Sequence, residues 1–125
     1  MVGRDEQATV LAASLTVTVG DDVVFELTVA NDGPEPVSVT FRDGIRADFA
    51  VYEADDGSGP RDSAVWRYSD GRMATQAISS AEFAPGESAT FSEAWPDPTP
   101  GQYTAVGELR LTGDDEVRAE TPFSV

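Results

Sequence analysis

"VFELTVANDGPEPVSVTF", residues 24 to 41, is the stretch whose reading decides the fold. Over residues 24–30, Phe25, Leu27 and Val29 alternate with Glu26 and Thr28. A side-chain period of two belongs to an extended strand with one buried face and one wet face. Residues 31–36, "NDGPEP", interrupt the run, because glycine and proline impose turn geometry. Residues 37–41 then resume the alternation with Val37, Val39 and Phe41. The building unit is therefore strand, turn, strand.

The same unit recurs on both sides of this stretch. "SLTVTV" (14–19) sets Leu15, Val17 and Val19 against Ser14, Thr16 and Thr18. "IRADFAVYEA" (45–54) predicts Ile45, Ala47, Phe49 and Val51 inward and Arg46, Asp48 and Tyr52 outward. "DDGSGPRD" (55–62) reads as a loop. "AVWRYS" and "MATQAI" read as two short strands around "SDGR", with Asp70-Gly71 supplying the positive φ angles of a type I′ hairpin turn. "FAPGES" is a turn, and "ATFSEAW" (89–95) a strand with Ala89, Phe91 and Trp95 on one parity. "PDPTPG" (96–101) holds three prolines and cannot be a central strand. "QYTAVGELRL" (102–111) alternates Tyr103, Ala105, Gly107, Leu109 and Leu111, and Pro122 marks the last run as an edge strand. Nowhere do apolar residues hold helical spacing over three turns. Eight or nine strands with a turn every 8 to 12 residues predict an all-β, antiparallel sandwich.

At 125 residues the chain has the size of one domain, expected to span 1–125. A hydrophobic fraction of 40% suits a packed core. The charge is strongly one-sided, with 23 acidic residues against 8 basic ones, net −15. All the basic residues are arginine. Such a surface repels nucleic acid and anionic membranes, so neither is expected as a partner. The acids are spread along the whole chain and lysine is missing throughout, a pattern that fits a halophilic cytoplasm, where salt screens their repulsion. No run approaches the 18 apolar residues of a membrane helix. "MVGRDEQATV" lacks the apolar core of a signal peptide, so a cytoplasmic protein is expected, although a trimmed leader would leave the same sequence.

Histidine, cysteine and lysine are all absent. Their absence removes Ser-His-Asp, Cys-His and Ser-Lys nucleophile systems, Schiff-base lysines, the P-loop lysine and zinc sites built from His or Cys. Carboxylate pairs remain, but 23 acids place some pairs together by chance. A non-enzymatic protein without cofactors is the expectation. Asp21-Asp22, Asp55-Asp56 and Asp114-Asp115 offer the oxygen donors calcium prefers, yet none matches a spaced calcium loop. Aspartate is also an ordinary turn former, and solvated turns are the simpler reading.

"VWRYSDGRMATQA", followed by "PGESATFSEAW" and "PGQYTAVGEL", resembles the bacterial intracellular proteinase inhibitor family of the BsuPI type. Upstream, "DFAVYEADDG" is similar to that family's Asp-Phe-x-Val run. The resemblance covers about residues 14 to 111. It rests on Asp48, Phe49, Trp66, Ser69, Asp70, Gly71, Gln76, Pro85, Gly86, Trp95, Gly101 and Tyr103, read as chiefly structural positions. Met73 stands where the pattern leads one to expect an aromatic, and the 54–64 loop looks lengthened and acidic. The resemblance implies an immunoglobulin-like sandwich and a protein partner, a subtilisin-like serine protease inside the cell. A monomer is expected.

Two stretches are candidate partner contacts. Tyr68, Asp70, Arg72 and Met73 border the "SDGR" turn. Pro96, Asp97, Pro98, Thr99 and Pro100 form the stiffer loop, because three prolines lower the entropy of its free state. Trp66 and Trp95 are expected to pack in the core, with the hydroxyl of Tyr68 wet. Two other readings stay open. One is an interaction module that inhibits no protease. The other is a carbohydrate-binding sandwich, which needs two of Trp66, Tyr68 and Trp95 exposed on one flat face.

Overall fold

The run from Val23 to Ala30 becomes the central strand of one layer. The computed structural model describes residues 11–53, 64–70, 78–112 and 117–125. Among them lie nine strands: β1 Ala12–Val19, β2 Val23–Ala30, β3 Val37–Phe41, β4 Ala47–Glu53, β5 Trp66–Arg67, β6 Ser79–Phe83, β7 Ser88–Trp95, β8 Gln102–Leu109 and β9 Arg118–Ser124. Every pairing is antiparallel. The described residues hold no helix, so none is long and apolar enough to cross a membrane.

The first layer is β1-β2-β7. The facing layer comes in two pieces, β5-β4-β8-β9 and β3-β6. Residues just past the end of β8 stitch the pieces together. Phe41 bridges Leu111, Arg42 N–H donates to the Arg110 carbonyl, and Thr112 N–H donates to that of Thr40. β1 also lies against β9 and closes one side of the sandwich. The result is the all-β, antiparallel sandwich that the alternation predicts.

The core follows the period-two pattern. Val23, Phe25, Leu27 and Val29 are all at most 1% exposed, and Phe49, Val51 and Ala105 meet them from the opposite layer. Phe25 stacks on Phe49 at 5.9 Å and on Trp66 at 5.7 Å, and meets Phe123 edge-on. Gly107 is small because a Cβ there would meet Leu15 and Phe49 at 3.2 Å. Pro85-Gly86 turns the chain into β7, with Glu87 N–H returning to the Ala84 carbonyl at 2.9 Å. Gly86 has φ 83°, which gives the type II geometry that needs glycine at that place. β9 is an edge strand, so Pro122 removes no interior ladder bond.

Three expectations need correction. Asp48, read as outward, is 2% exposed. Val19, read as inward, is 45% exposed at the end of β1. The strand expected over 73–78 falls on residues outside those described except for Ile78, which is exposed, and the next described strand is Ser79–Phe83. Residues 71–77 lie outside the described residues. Asp70 does not take the positive φ expected of it in a type I′ turn, and Gly71 lies outside the described residues. Among the described residues Asp97 is the one non-glycine with positive φ, and the turn that does form closes from Asp70 N–H to the Arg67 carbonyl at 3.1 Å.

Replacing Phe25 with alanine is expected to cost about 3–5 kcal/mol in urea unfolding at unchanged m-value, since one buried ring anchors both layers.

Candidate functional site

Two constellations stand apart from the apolar core. The first is polar and sits where the facing layer divides. Asp48 is the second residue of β4, and its Oδ1 accepts the N–H of Phe49 at 2.9 Å and of Ser69 at 3.0 Å. Its Oδ2 accepts the Ser69 hydroxyl at 2.7 Å, with Arg110 at 3.5 Å and Arg67 at 3.8 Å. Arg110 also clamps Asp43, donating Nη2–H to Oδ2 at 2.7 Å and Nε–H to Oδ1 at 3.2 Å. Arg67 donates to the Tyr52 hydroxyl at 2.9 Å. Asp43 accepts the Ile45 N–H as well, which shapes the β3–β4 loop.

The electrostatics follow from this wiring. Asp43 titrates below the ordinary carboxylate range because Arg110 donates to it; burial pushes the other way, and the Ile45 N–H assists. Arg110 is raised by the same bond to Asp43 against a partial burial cost. Chemically the cluster is closed. Asp48 is buried, already accepts from Phe49 and Ser69, and faces two arginines, so its oxygens are committed to holding the strands together. No buried side-chain nitrogen or oxygen among the described residues lacks a hydrogen-bond partner.

The second constellation is the β7–β8 loop, at the end of the sandwich where β4 finishes. Trp95 closes β7, 8% exposed, stacked on Trp66 at 6.3 Å and edge-on to Tyr103 at 5.2 Å. The Tyr103 ring packs on Phe123 at 5.5 Å, and its hydroxyl donates to the Thr99 carbonyl at 2.6 Å. Gly101 and Val125 exchange backbone bonds of 3.1 and 2.9 Å, which tie the loop to the end of β9. A Cβ at Gly101 would meet the Tyr103 hydroxyl at 3.1 Å, so glycine lets the tyrosine reach Thr99. Pro96, Asp97, Thr99 and Pro100 are exposed and Pro98 is half-buried. Asp97, at φ 50°, carries the bend.

The two candidate contacts are therefore not brought together. Tyr68 N–H donates to the Phe49 carbonyl, at the level of Gly107, while the 96–100 loop lies beyond Gln102. At about 3.3 Å per residue, that is a separation of about 20 Å along the strands. Tyr68 lines an open cleft of about 230 Å³ with Ile45, Phe49, Phe91 and Glu93, and Asp70 is exposed. Gly71, Arg72, Met73 and Gln76 lie outside the described residues, as do Asp55, Asp56, Asp114 and Asp115. Asp21 and Asp22 are exposed, and no group of three or more carboxylates placed to hold a metal occurs among the described residues. Trp66 and Trp95 stack on each other within the aromatic core, so they do not form a flat face for a sugar ring. Sequence reading missed the Arg67–Asp48–Arg110–Asp43 wiring. Its one signal was arginine and aspartate recurring beside strand ends.

The sequence matches the family BsuPI, intracellular proteinase inhibitor, over residues 11–113, and the chain belongs to that family. No curated protein matches it in sequence. Among solved structures it is similar to Spo0M, a sporulation control protein from Bacillus subtilis, at 16% identity and TM-score 0.58. That likeness covers 93% of this chain and 49% of Spo0M, so the chain spans about half of that protein's length. A candidate β-galactosidase from Bacteroides fragilis aligns at 16% identity and TM-score 0.45, over 93% of this chain and 16% of that one. The likeness to Spo0M is one of fold.

Replacing Asp48 with alanine removes the buried acceptor of the Ser69 N–H and hydroxyl and takes one acid from the partly buried Arg67 and Arg110, and is expected to lower unfolding stability by about 3 kcal/mol. Asp43 has a lowered folded pKa, so its stabilisation is complete above the unfolded value of about 3.9 and disappears as pH falls through the folded one. The Asp43→Asn variant is accordingly expected to be less stable at neutral pH. Its melting temperature should fall less than that of the unmodified chain as the pH drops below about 4.

Proposed function

We propose that this chain is a single, non-catalytic binding domain that inhibits a subtilisin-like serine protease in the cytoplasm, acting as a monomer and without a cofactor. The observation that carries the reading is the family match across residues 11–113, most of the chain. The chemistry of the chain agrees with it. Histidine, cysteine and lysine are absent, and the buried Asp48-Ser69 pair is committed to holding strands together. The loops are left to make contact, and the 96–100 loop is the best prepared of those described. Its exposed residues are already ordered by Tyr103, Gly101 and Val125, so binding need not supply the cost of ordering them. Neither nucleic acid nor an anionic membrane suits a chain of net charge −15.

Titration of a subtilisin-like protease with the folded chain, in high salt so that acidic repulsion is screened, is expected to give a linear fall in caseinolytic activity that ends near one chain per enzyme. Undiminished activity at a large excess of chain leaves the interaction module without a protease.

A further inference from the structure

The 96–100 loop is built against strand pairing. A protein segment that lies in an enzyme's cleft as an added strand offers backbone N–H and C=O groups in ladder register. Pro96, Pro98 and Pro100 have no N–H, which leaves donors at Asp97 and Thr99 alone. The Thr99 carbonyl is already occupied by the Tyr103 hydroxyl at 2.6 Å. Asp97, at φ 50°, turns the backbone into the left-handed region and off the extended path. The geometry that suits a substrate is absent.

The covalent chemistry points the same way. Each peptide bond from Trp95 to Gly101 has a proline on one side. In Trp95–Pro96, Asp97–Pro98 and Thr99–Pro100 the leaving nitrogen belongs to a ring. Acyl transfer to a serine protease requires that nitrogen to take a proton from the catalytic histidine as the bond breaks. The ring crowds that approach and fixes φ. The loop can also yield little to fit a cleft. Trp95 is buried at one end, and Gly101 is doubly bonded to Val125 at the other.

Resting on the inhibitor reading above, we infer that the 96–100 loop docks on the rim of a protease's substrate cleft as a rigid, uncleaved knob, and blocks protein substrates without entering the register of a cut peptide. The exposed Asp97 carboxylate stands at the bend, so the rim it fits carries arginine or lysine, with arginine able to grip it through two hydrogen bonds.

The test titrates one subtilisin-like enzyme with the full chain and reads two substrates in parallel, casein and a tripeptide anilide. Casein hydrolysis is expected to fall stoichiometrically, while anilide hydrolysis changes by less than about twofold. Mass spectrometry of the recovered chain is expected to find no cut between residues 95 and 101. Asp97→Asn keeps the side-chain shape, removes the charge, and is expected to weaken the block about tenfold. Thermal melts of this variant and of Pro98→Ala/Pro100→Ala separate lost contact from lost fold. Equal, competitive loss of both activities overturns the inference alone. So does cleavage within 95–101, or a block that neither folded variant alters. No inhibition of either activity by the folded chain overturns the inhibitor reading, and the inference falls with it.

Discussion

The carboxylate of Asp48 is the point on which the facing layer depends. That layer is not one continuous sheet, because the pairing of β4 with β8 gives way to the pairing of β3 with β6. Only a few backbone bonds, between residues 40–42 and 110–112, cross that break. Asp48 adds a side-chain link beside it, accepting from β4 and from the turn after β5, with Arg67 and Arg110 close enough to balance its charge. Arg110 carries the link onward to Asp43 in the β3–β4 loop. A buried carboxylate without those partners would cost several kcal/mol. With them it ties β4, the turn after β5 and the end of β8 together.

This explains why parity failed at Asp48 while it held for its neighbours. Alternation reads the burial of apolar side chains, and it placed Phe49, Val51, Leu27 and Val29 because water itself enforces those positions. The burial of an acid is decided by its partners. Ser69 lies 21 residues from Asp48, and Arg110 lies 67 residues from Asp43, so no local window contains the reason. β6 was obscured for a related cause. "SSAEF" has weak strand propensity, and it is extended because β3 pairs with it along its whole length. By contrast, the Pro85-Gly86 turn was readable because its geometry is set by the two residues within it.

Of the candidate contacts, the proline count of the 96–100 loop was plain in the sequence. Its anchoring was not. Tyr103 looked like one more inward aromatic of β8, and nothing nearby announced that its hydroxyl would hold Thr99. The bonds between Gly101 and Val125 join residues 24 positions apart and appear only when β8 and β9 pair.

The loop's stiffness is therefore inherited from the core rather than intrinsic to its prolines. Three prolines narrow the backbone angles but leave the loop free to swing about its ends. Trp95 removes that freedom at one end through its packing on Trp66 and Tyr103. Tyr103 fixes the far side, and is itself held by Phe123. Phe123 in turn meets Phe25, the ring that both layers share. One continuous aromatic chain thus runs from the centre of the sandwich to the base of the loop. Packed aromatic interiors have few alternative arrangements. Motion of the loop base would have to disturb that packing, so the loop surface stays rigid to the extent that the core is well packed.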